Sequence, residues 1–250
     1  MGGCISVERI LSRLDGYLDK KDFSAAERHL AYWIGEAEAA RDGRTEMLIR
    51  NEQMGLFRKL GRRPEALAAA EAALARLAAL GLSGTVGAAT ALLNAATVYK
   101  AFGEAERALA LYGEARAIYE RELDPSDARL GGLYNNMALA LTDLGRFSEA
   151  NELYRRAIAV MAGVERGELE IAITHLNMAD TAEAEQGALA ADETVRAHLS
   201  EARRLLDRHT VRDGYYAFVC EKCASVFEYY GQFAYAAELS GRAGGIYEGT

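Results

Sequence analysis

Proline, cysteine and tryptophan are scarce in this sequence of 250 residues, which contains two Pro, three Cys and one Trp. Cys4, Cys220 and Cys223 are too few for the disulfide framework of a small secreted protein, so we expect a reducing, cytoplasmic environment. The first residues contain no apolar core of a secretory signal. Basic residues are in deficit, with 29 Lys and Arg against 37 Asp and Glu, and the net charge of -8 argues against a nucleic-acid-binding surface.

Long apolar runs are also rare, and only one uncharged stretch is long enough to span a bilayer. It lies between Arg76 and Lys100. Gly81 and Asn94 interrupt it, and it stays in register with the repeat described below, so we interpret it as part of two buried helices. Residues 1–6 (MGGCIS) fit a short myristoylation pattern that also matches many sequences by chance. We therefore expect no membrane partner.

Glycine recurs at a nearly constant spacing along the chain. Gly61, Gly103, Gly145, Gly187 and Gly231 are separated by 42, 42, 42 and 44 residues. Each is expected to end a helix in the left-handed conformation, which lets the chain reverse within a few residues. Small residues recur five and twelve residues after most of these Gly, and also seven residues before several of them. Such residues allow close helix packing. They are Ala66, Ala73, Ala96, Ala108, Ala115, Ala138, Ala150, Ala157, Ala224, Ala236 and Ala243. The pattern predicts one antiparallel helical hairpin per repeat.

With these Gly and Ala offsets, as in LYNNMALALTDLGRFSEA, the sequence resembles the tetratricopeptide repeat family. Its 42-residue period resembles the longer repeats of the kinesin-light-chain type. The resemblance implies an all-α fold, a right-handed α-solenoid of about six hairpins and twelve helices that forms a single domain over residues 1–250. The predicted hairpins cover residues 5–42, 44–80, 84–123, 126–163, 165–209 and 212–247.

Some positions depart from the pattern. Lys21 stands where the first repeat should have Gly, and Asp192 stands where the fifth should have Ala. We predict a short insertion before the second helix of the fifth repeat, with Asp192 as its N-cap. The core positions of that helix would then be Val195, Leu199, Ala202 and Leu206. In the fourth repeat, Asp124 is predicted to cap the first helix, with Pro125 at its first position.

Residues with catalytic or metal-binding chemistry form no recognisable site. Cys220 and Cys223 lie in the middle of a predicted helix with no second pair to complete a zinc site, so we interpret them as small buried hydrophobes. The sequence contains no nucleophile elbow, phosphate loop or dinucleotide fingerprint. We predict no enzyme activity, no metal and no cofactor. The four His residues do not have the spacing of metal ligands. We expect His29, His198 and His209 to lie at the surface and His175 to lie near a groove.

In tetratricopeptide arrays the first helices of successive hairpins line a concave groove. Ten residues before each repeat Gly, this sequence has Asn51, Leu93, Asn135, Asn177 and Glu221. A side-chain amide both donates and accepts, so we hypothesise that the Asn residues pair with the backbone of an extended ligand. The alternative is that they bond to neighbouring helices or to water.

A neighbouring residue, Asn136, is expected nearer the packing between hairpins, with Asn94 as its counterpart one repeat earlier. On this hypothesis, Asn135→Ala weakens binding and leaves the melting temperature nearly unchanged. Asn136→Ala costs about 1–2 kcal/mol of stability. Arg58 and Lys100 lie toward the ends of early first helices, whereas acidic residues take comparable positions later. We expect a groove that is more positive in its N-terminal half, unless these are ordinary solvated charges.

The sequence therefore predicts a non-enzymatic protein–protein interaction module that binds an extended peptide or protein segment in its concave groove. The alternative is a peptide-sensing regulatory protein that acts through a separate output partner.

Tyrosine is concentrated near the C-terminal end, where six of the 13 Tyr fall at or after residue 215. Because protein interfaces are enriched in Tyr, we expect a homodimer formed through the C-terminal repeat. Light scattering at high micromolar concentration should then give twice the monomer mass. A clean monomer mass under those conditions would count against the dimer.

Overall fold

The computed structural model describes residues 6–248, and within that range every regular element is an α-helix. The fold class predicted from the sequence, an all-α array of about six helical hairpins, is confirmed. Cys4 and the rest of the myristoylation-like pattern up to residue 5 lie outside the described residues. The helices are α1 (Val7–Asp19), α2 (Phe23–Ala39), α3 (Gly43–Lys59), α4 (Arg63–Ala79), α5 (Val86–Ala101), α6 (Ala105–Glu122), α7 (Ala128–Asp143), α8 (Phe147–Met161), α9 (Glu168–Gln186), α10 (Ala188–Arg208), α11 (Gly214–Tyr229) and α12 (Phe233–Glu248).

The uncharged stretch after Arg76 is divided between two helices, as the sequence predicted. Helix α4 ends at Ala79 and α5 begins at Val86, with a turn between them. Among the described residues, no helix combines the length and the apolar character that crossing a membrane requires.

Contacts between residues divide the chain into two compact units, which we call unit 1 (Met1–Leu123) and unit 2 (Asp124–Thr250). Each unit contains three consecutive hairpins, and odd-numbered helices are the first and even-numbered helices the second of each pair. The two helices of a hairpin pack extensively against each other in the five hairpins from α3 to α12, and less so between α1 and α2.

The predicted Ala positions are buried in both units, which confirms their role in close helix packing. Large side chains fill the space beside them, and several are tyrosines whose hydroxyl groups need a partner once they are buried. Tyr112 and Tyr119 lie within 3.0 Å and 2.7 Å of the hydroxyls of Thr97 and Thr90, and each Thr also donates to its own helix backbone. Tyr112 and Tyr119 therefore occupy the core with satisfied hydroxyls, whereas the buried hydroxyl of Tyr99 has no hydrogen-bond partner among the described residues.

Four of the five repeat Gly residues end the first helices in the predicted conformation. Gly61, Gly103, Gly145 and Gly231 have φ between 69° and 81°, and in each case the next residue donates its N–H to a carbonyl five positions earlier. This bond satisfies a carbonyl at the helix end and fixes the reversal of the chain. Lys21, which replaces Gly in the first repeat, adopts the same left-handed conformation, with φ 55°.

The fifth hairpin departs from the others, and the predicted insertion before its second helix is wrong. Helix α9 continues to Gln186, α10 begins at Ala188, and Gly187 alone joins them with φ 80° and ψ 156°. The extra residues therefore lengthen the two helices instead of forming a loop. Asp192 is not a cap; it lies exposed within α10 and forms an ion pair with Arg196 at 3.0 Å. The predicted core positions are confirmed, since Val195, Leu199, Ala202 and Leu206 are all buried.

The prediction that Asp124 caps the fourth hairpin is also wrong. Helix α7 begins at Ala128, and its N-cap is Asp127, which accepts the N–H of Arg129 at 3.0 Å. Asp124 instead accepts the N–H and the hydroxyl of Ser126, at 2.9 Å and 2.6 Å. Such a local turn around an Asp-Pro pair competes with helix formation and delays the helix by three residues.

Two glycines in unit 1 test the turn conformation, because replacing each by Ala is expected to change the stability in opposite directions. Neither Gly103 nor Gly113 has an atom within 4 Å of an added Cβ, so backbone preference alone decides the effect. Gly103→Ala should destabilise unit 1 by about 1 kcal/mol because φ is 81°. Gly113→Ala, in the middle of α6, should stabilise it by about 0.5–1 kcal/mol. Urea unfolding measures both, and shifts of the same sign would contradict the assigned turn.

Candidate functional site

Neighbouring first helices, α3 and α5 in unit 1 and α7, α9 and α11 in unit 2, lie side by side and form one face in each unit, which we call the first-helix face. The Cα atoms of α3 and α5 in unit 1, and of α7, α9 and α11 in unit 2, approach within 8 Å between neighbours. In the described residues, successive second helices show no comparable approach, and long side chains bridge them instead. Examples are the ion pairs Arg107–Glu71 at 3.3 Å and Arg242–Asp207 at 2.7 Å. Because the first helices are closer together, their face is the inner side of each stack.

In unit 1, the predicted groove residues occupy this face at different depths. The amide nitrogen of Asn94 donates to the amide oxygen of Asn51 at 3.0 Å, which links α3 to α5. Leu93 and Lys100 are half-buried, and Arg58 is exposed near the end of α3.

In unit 2, a second amide contact links α7 to α9. The side-chain nitrogen of Asn177 donates to the side-chain oxygen of Asn135 at 2.9 Å, and the hydroxyl of Thr174 lies 3.3 Å from the same oxygen. Asn135 is only 8% exposed, whereas Asn136 is half-buried. The structure thus places Asn51, Asn135 and Asn177 in bonds between neighbouring helices, and their contact with a ligand stays a prediction.

Tyrosines of α11 and the turn that follows it contact carboxylates of α9. The hydroxyl of Tyr215 donates to Glu170, that of Tyr230 donates to Asp180 at 2.9 Å, and that of Tyr229 donates to Glu183 at 3.4 Å. Glu221, the last predicted groove residue, is exposed and accepts a long 3.5 Å bond from Tyr247.

These contacts change the interpretation of the C-terminal tyrosines. Tyr216 and Tyr235 are buried in the core of unit 2, and three other Tyr in this region bind α9. Much of the concentration of Tyr therefore has an intramolecular cause, and the homodimer stays a prediction. The concentration of tyrosines is visible in the sequence, but their carboxylate partners are not. These partners lie 45 to 50 residues away, at separations that vary from one pair to the next.

A pocket of ≈ 510 Å³ opens between the C-terminal parts of α9 and α11. Only residues of these two first helices line it, so it opens on the first-helix face of unit 2: Asp180, Glu183, Ala184, Ser225, Val226 and Tyr229. Burial raises the pKa of the Asp180 carboxyl, and the charge of Glu183 adds to this effect, although the hydrogen bond from Tyr230 opposes it. The pocket therefore presents two carboxylates beside an aromatic ring that is 70% exposed.

The cysteines and most histidines belong to the core and to helix contacts. Burial raises the pKa of Cys220 to about 11 and that of Cys223 to about 12, so both remain protonated thiols at neutral pH. Their interpretation as buried hydrophobes is confirmed. The expectation that His209 lies at the surface is wrong, because it is buried with Nδ1 2.6 Å from a Glu168 oxygen.

His175 on α9 pairs with a histidine on the next helix, α10. Its Nδ1 lies 3.0 Å from Nδ1 of His198, and both rings are half-buried. Burial lowers the pKa of both imidazoles. Among residues 6–248, no cluster of three or more His, Cys, Asp or Glu side chains is arranged to hold a metal ion.

Comparison with known proteins identifies the repeats. The sequence model of the tetratricopeptide repeat matches residues 88–128 and 131–162. The chain has the tetratricopeptide repeat fold. A comparison with curated proteins gives no significant match. Proteins with this fold generally act as non-catalytic interaction scaffolds.

Several solved structures are similar in fold. BtubC (BKLC) from P. vanneervenii has a TM-score of 0.69 and 23% identity, over 82% of each chain. A putative kinesin light chain from Podosopora anserina, with nearly identical TPR-like repeats, has a TM-score of 0.53 and 19% identity, over 79% of this chain and 92% of that chain. A Rap protein complexed with Competence and Sporulation Factor has a TM-score of 0.62 and 16% identity, over 97% of this chain and 64% of that chain.

The amide contact between α7 and α9 reverses the expectation of which substitution, Asn135→Ala or Asn136→Ala, destabilises the protein more. Asn135→Ala removes a buried acceptor and leaves the Asn177 amide without its partner, so it should cost about 1–2 kcal/mol of unfolding free energy. Asn136→Ala, at the half-buried position beside it, should cost clearly less. Urea unfolding of the two variants decides the order. Equal stability of Asn135→Ala and the parent would contradict a structural role for the contact.

Proposed function

We propose that this protein is a non-enzymatic interaction module whose first-helix face binds an extended segment of a partner protein. The observation that carries the proposal is the open pocket on this face in unit 2, between α9 and α11. Extended segments dock in a groove through their backbone, while alternate side chains enter pockets. A pocket of this size gives one such side chain a place to lie.

The chemistry around the pocket suits a peptide ligand. Asn177 is half-buried and uses its amide nitrogen within the protein, so its amide oxygen can accept an N–H of the ligand backbone. Tyr229 offers a large, mostly exposed ring, and Tyr is among the residues that contribute most at protein interfaces. Similarity in fold to a Rap protein that was solved with Competence and Sporulation Factor supports the use of such an array in ligand binding.

The second candidate is a regulatory protein that senses a peptide and acts through a separate output partner. The observation that favours this candidate is the similarity in fold to a Rap protein solved with Competence and Sporulation Factor, over 97% of this chain and 64% of that chain. Both candidates require the same ligand-binding face. They differ in whether ligand binding changes the affinity for a second protein.

Selection from a displayed library of linear peptides on the purified protein tests the proposal. We expect peptides whose binding is weakened about tenfold or more by Tyr229→Ala, since an exposed aromatic anchor typically carries a large share of the binding energy. Glu193→Lys, on the exposed surface of the second helix α10, is the control and should leave affinity within about twofold. Circular dichroism confirms that each variant is folded.

Two results would contradict the proposal. One is a library that yields no peptide with saturable binding to the parent protein. The other is a set of binders that respond to Glu193→Lys but not to Tyr229→Ala, because these would occupy the second-helix side.

A further inference from the structure

The net negative charge of the protein lies entirely in unit 2. Residues 124–250 contain 20 Asp and Glu against 12 Lys and Arg, a formal charge of -8, whereas residues 1–123 contain 17 of each. Helix α9 is the extreme case, because Glu168–Gln186 contains five carboxylates and no Lys or Arg. A field of one sign attracts ligands of the opposite sign and raises their rate of association.

Most carboxylates near the second helices of unit 2 have an arginine partner. Asp207 pairs with Arg242 at 2.7 Å, and Glu149 pairs with Arg146 at the same distance. The two carboxylates of the pocket differ from these. Within the described residues, the side chains that donate to Asp180 and Glu183 are the neutral hydroxyls of tyrosines.

The position of Asp180 makes this lack of a cation unfavourable. Asp180 is exposed at the pocket, yet the surrounding protein and the negative charge of Glu183 both raise the pKa of its carboxyl. A positive group that enters the pocket would relieve both effects at once. The pocket walls offer it further partners, since Ser225 and the ring of Tyr229 line the same space.

We propose that the pocket between α9 and α11 is a recognition site for a basic side chain of the bound segment, with arginine as the preferred residue. This inference rests on the proposed function, because it names the chemistry of the segment that the first-helix face binds. A guanidinium group is planar and carries five N–H donors, so it can lie against the Tyr229 ring and donate to Asp180 and Glu183 together. Lysine supplies the charge without the flat surface and the fork of donors.

A small-molecule probe tests the pocket without any knowledge of the partner. The probe is N-acetyl-arginine N-methylamide, and its control is the citrulline analogue, which has nearly the same shape but no charge. Titrations are followed by NMR on the full-length protein with labelled tyrosine rings. We expect saturable shifts of the Tyr229 and Tyr230 signals with the arginine probe, and affinity about fivefold or more above that for citrulline.

Variants of the carboxylates supply the matched comparison. Asp180→Asn and Glu183→Gln should each weaken the arginine probe about threefold to tenfold and leave the citrulline control unchanged. Glu193→Gln makes the same change of charge on the exposed surface of α10 and should have no such effect. Tyr229→Phe keeps the ring and should retain binding, whereas Tyr229→Ala should lose it.

The outcomes separate this inference from the proposed function. Equal shifts with arginine and citrulline, or unchanged arginine affinity in both Asp180→Asn and Glu183→Gln, would overturn the basic-side-chain site. Peptides that bind the first-helix face without a requirement for Arg or Lys would overturn it too, and would leave the proposed function standing. Probe binding that behaves as expected, together with a peptide library that yields no binder, would support the pocket and contradict the proposed function.

Discussion

Close approach between helices at alanine positions is the constraint on which the rest of this structure depends. Ala96, Ala138 and their equivalents are buried at the helix contacts, and a larger side chain there would separate the helices. Each hairpin has too little core to be stable alone, so its stability comes from these contacts with its neighbours. Large side chains fill the remaining space, and among them Tyr112 and Tyr119 pair their hydroxyls with threonines of the adjoining helix.

This close packing also determines the nature of the first-helix face. Because neighbouring first helices approach within 8 Å, short polar side chains such as Asn94 and Asn51 reach across the gap and bond directly. Between α9 and α11 the bridging groups are longer, with a Tyr on one helix and a carboxylate on the other. The pocket beside Tyr229 is lined by residues of these same two helices.

Much of the fold could be predicted from the sequence, because glycine and alanine at a fixed spacing report directly on backbone conformation and packing distance. The left-handed turn at Gly103 and the burial of Ala108 follow from the absence or the small size of a side chain. The start of α7 could not be predicted in this way, since Asp124 and Asp127 are chemically equivalent caps. The choice between them depends on a local turn stabilised by Ser126.

The candidate site was harder to predict for a related physical reason. Its contacts depend on which side chains of α9 and α11 meet, and the pattern of Gly and Ala carries no information about those individual partners. Tyr229 and Tyr230 contact Glu183 and Asp180 across 46 and 50 residues, separations that differ from the repeat period. The repeat pattern singles out Asn135 as a candidate groove residue. Whether its amide bonds to a neighbouring helix or to a ligand depends on burial, which a single sequence does not reveal.

The central claim is that a partner segment lies along the first-helix face of unit 2, with a basic side chain beside Asp180. The most direct measurement is photo-crosslinking of a selected peptide that carries a photoreactive group next to its Arg or Lys, followed by mass spectrometry of the crosslinked fragments. We expect crosslinks in α9 and α11, close to Asp180 and Tyr229, and their loss when unlabelled peptide competes. Competed crosslinks located in the second helices α8, α10 or α12 would contradict the claim.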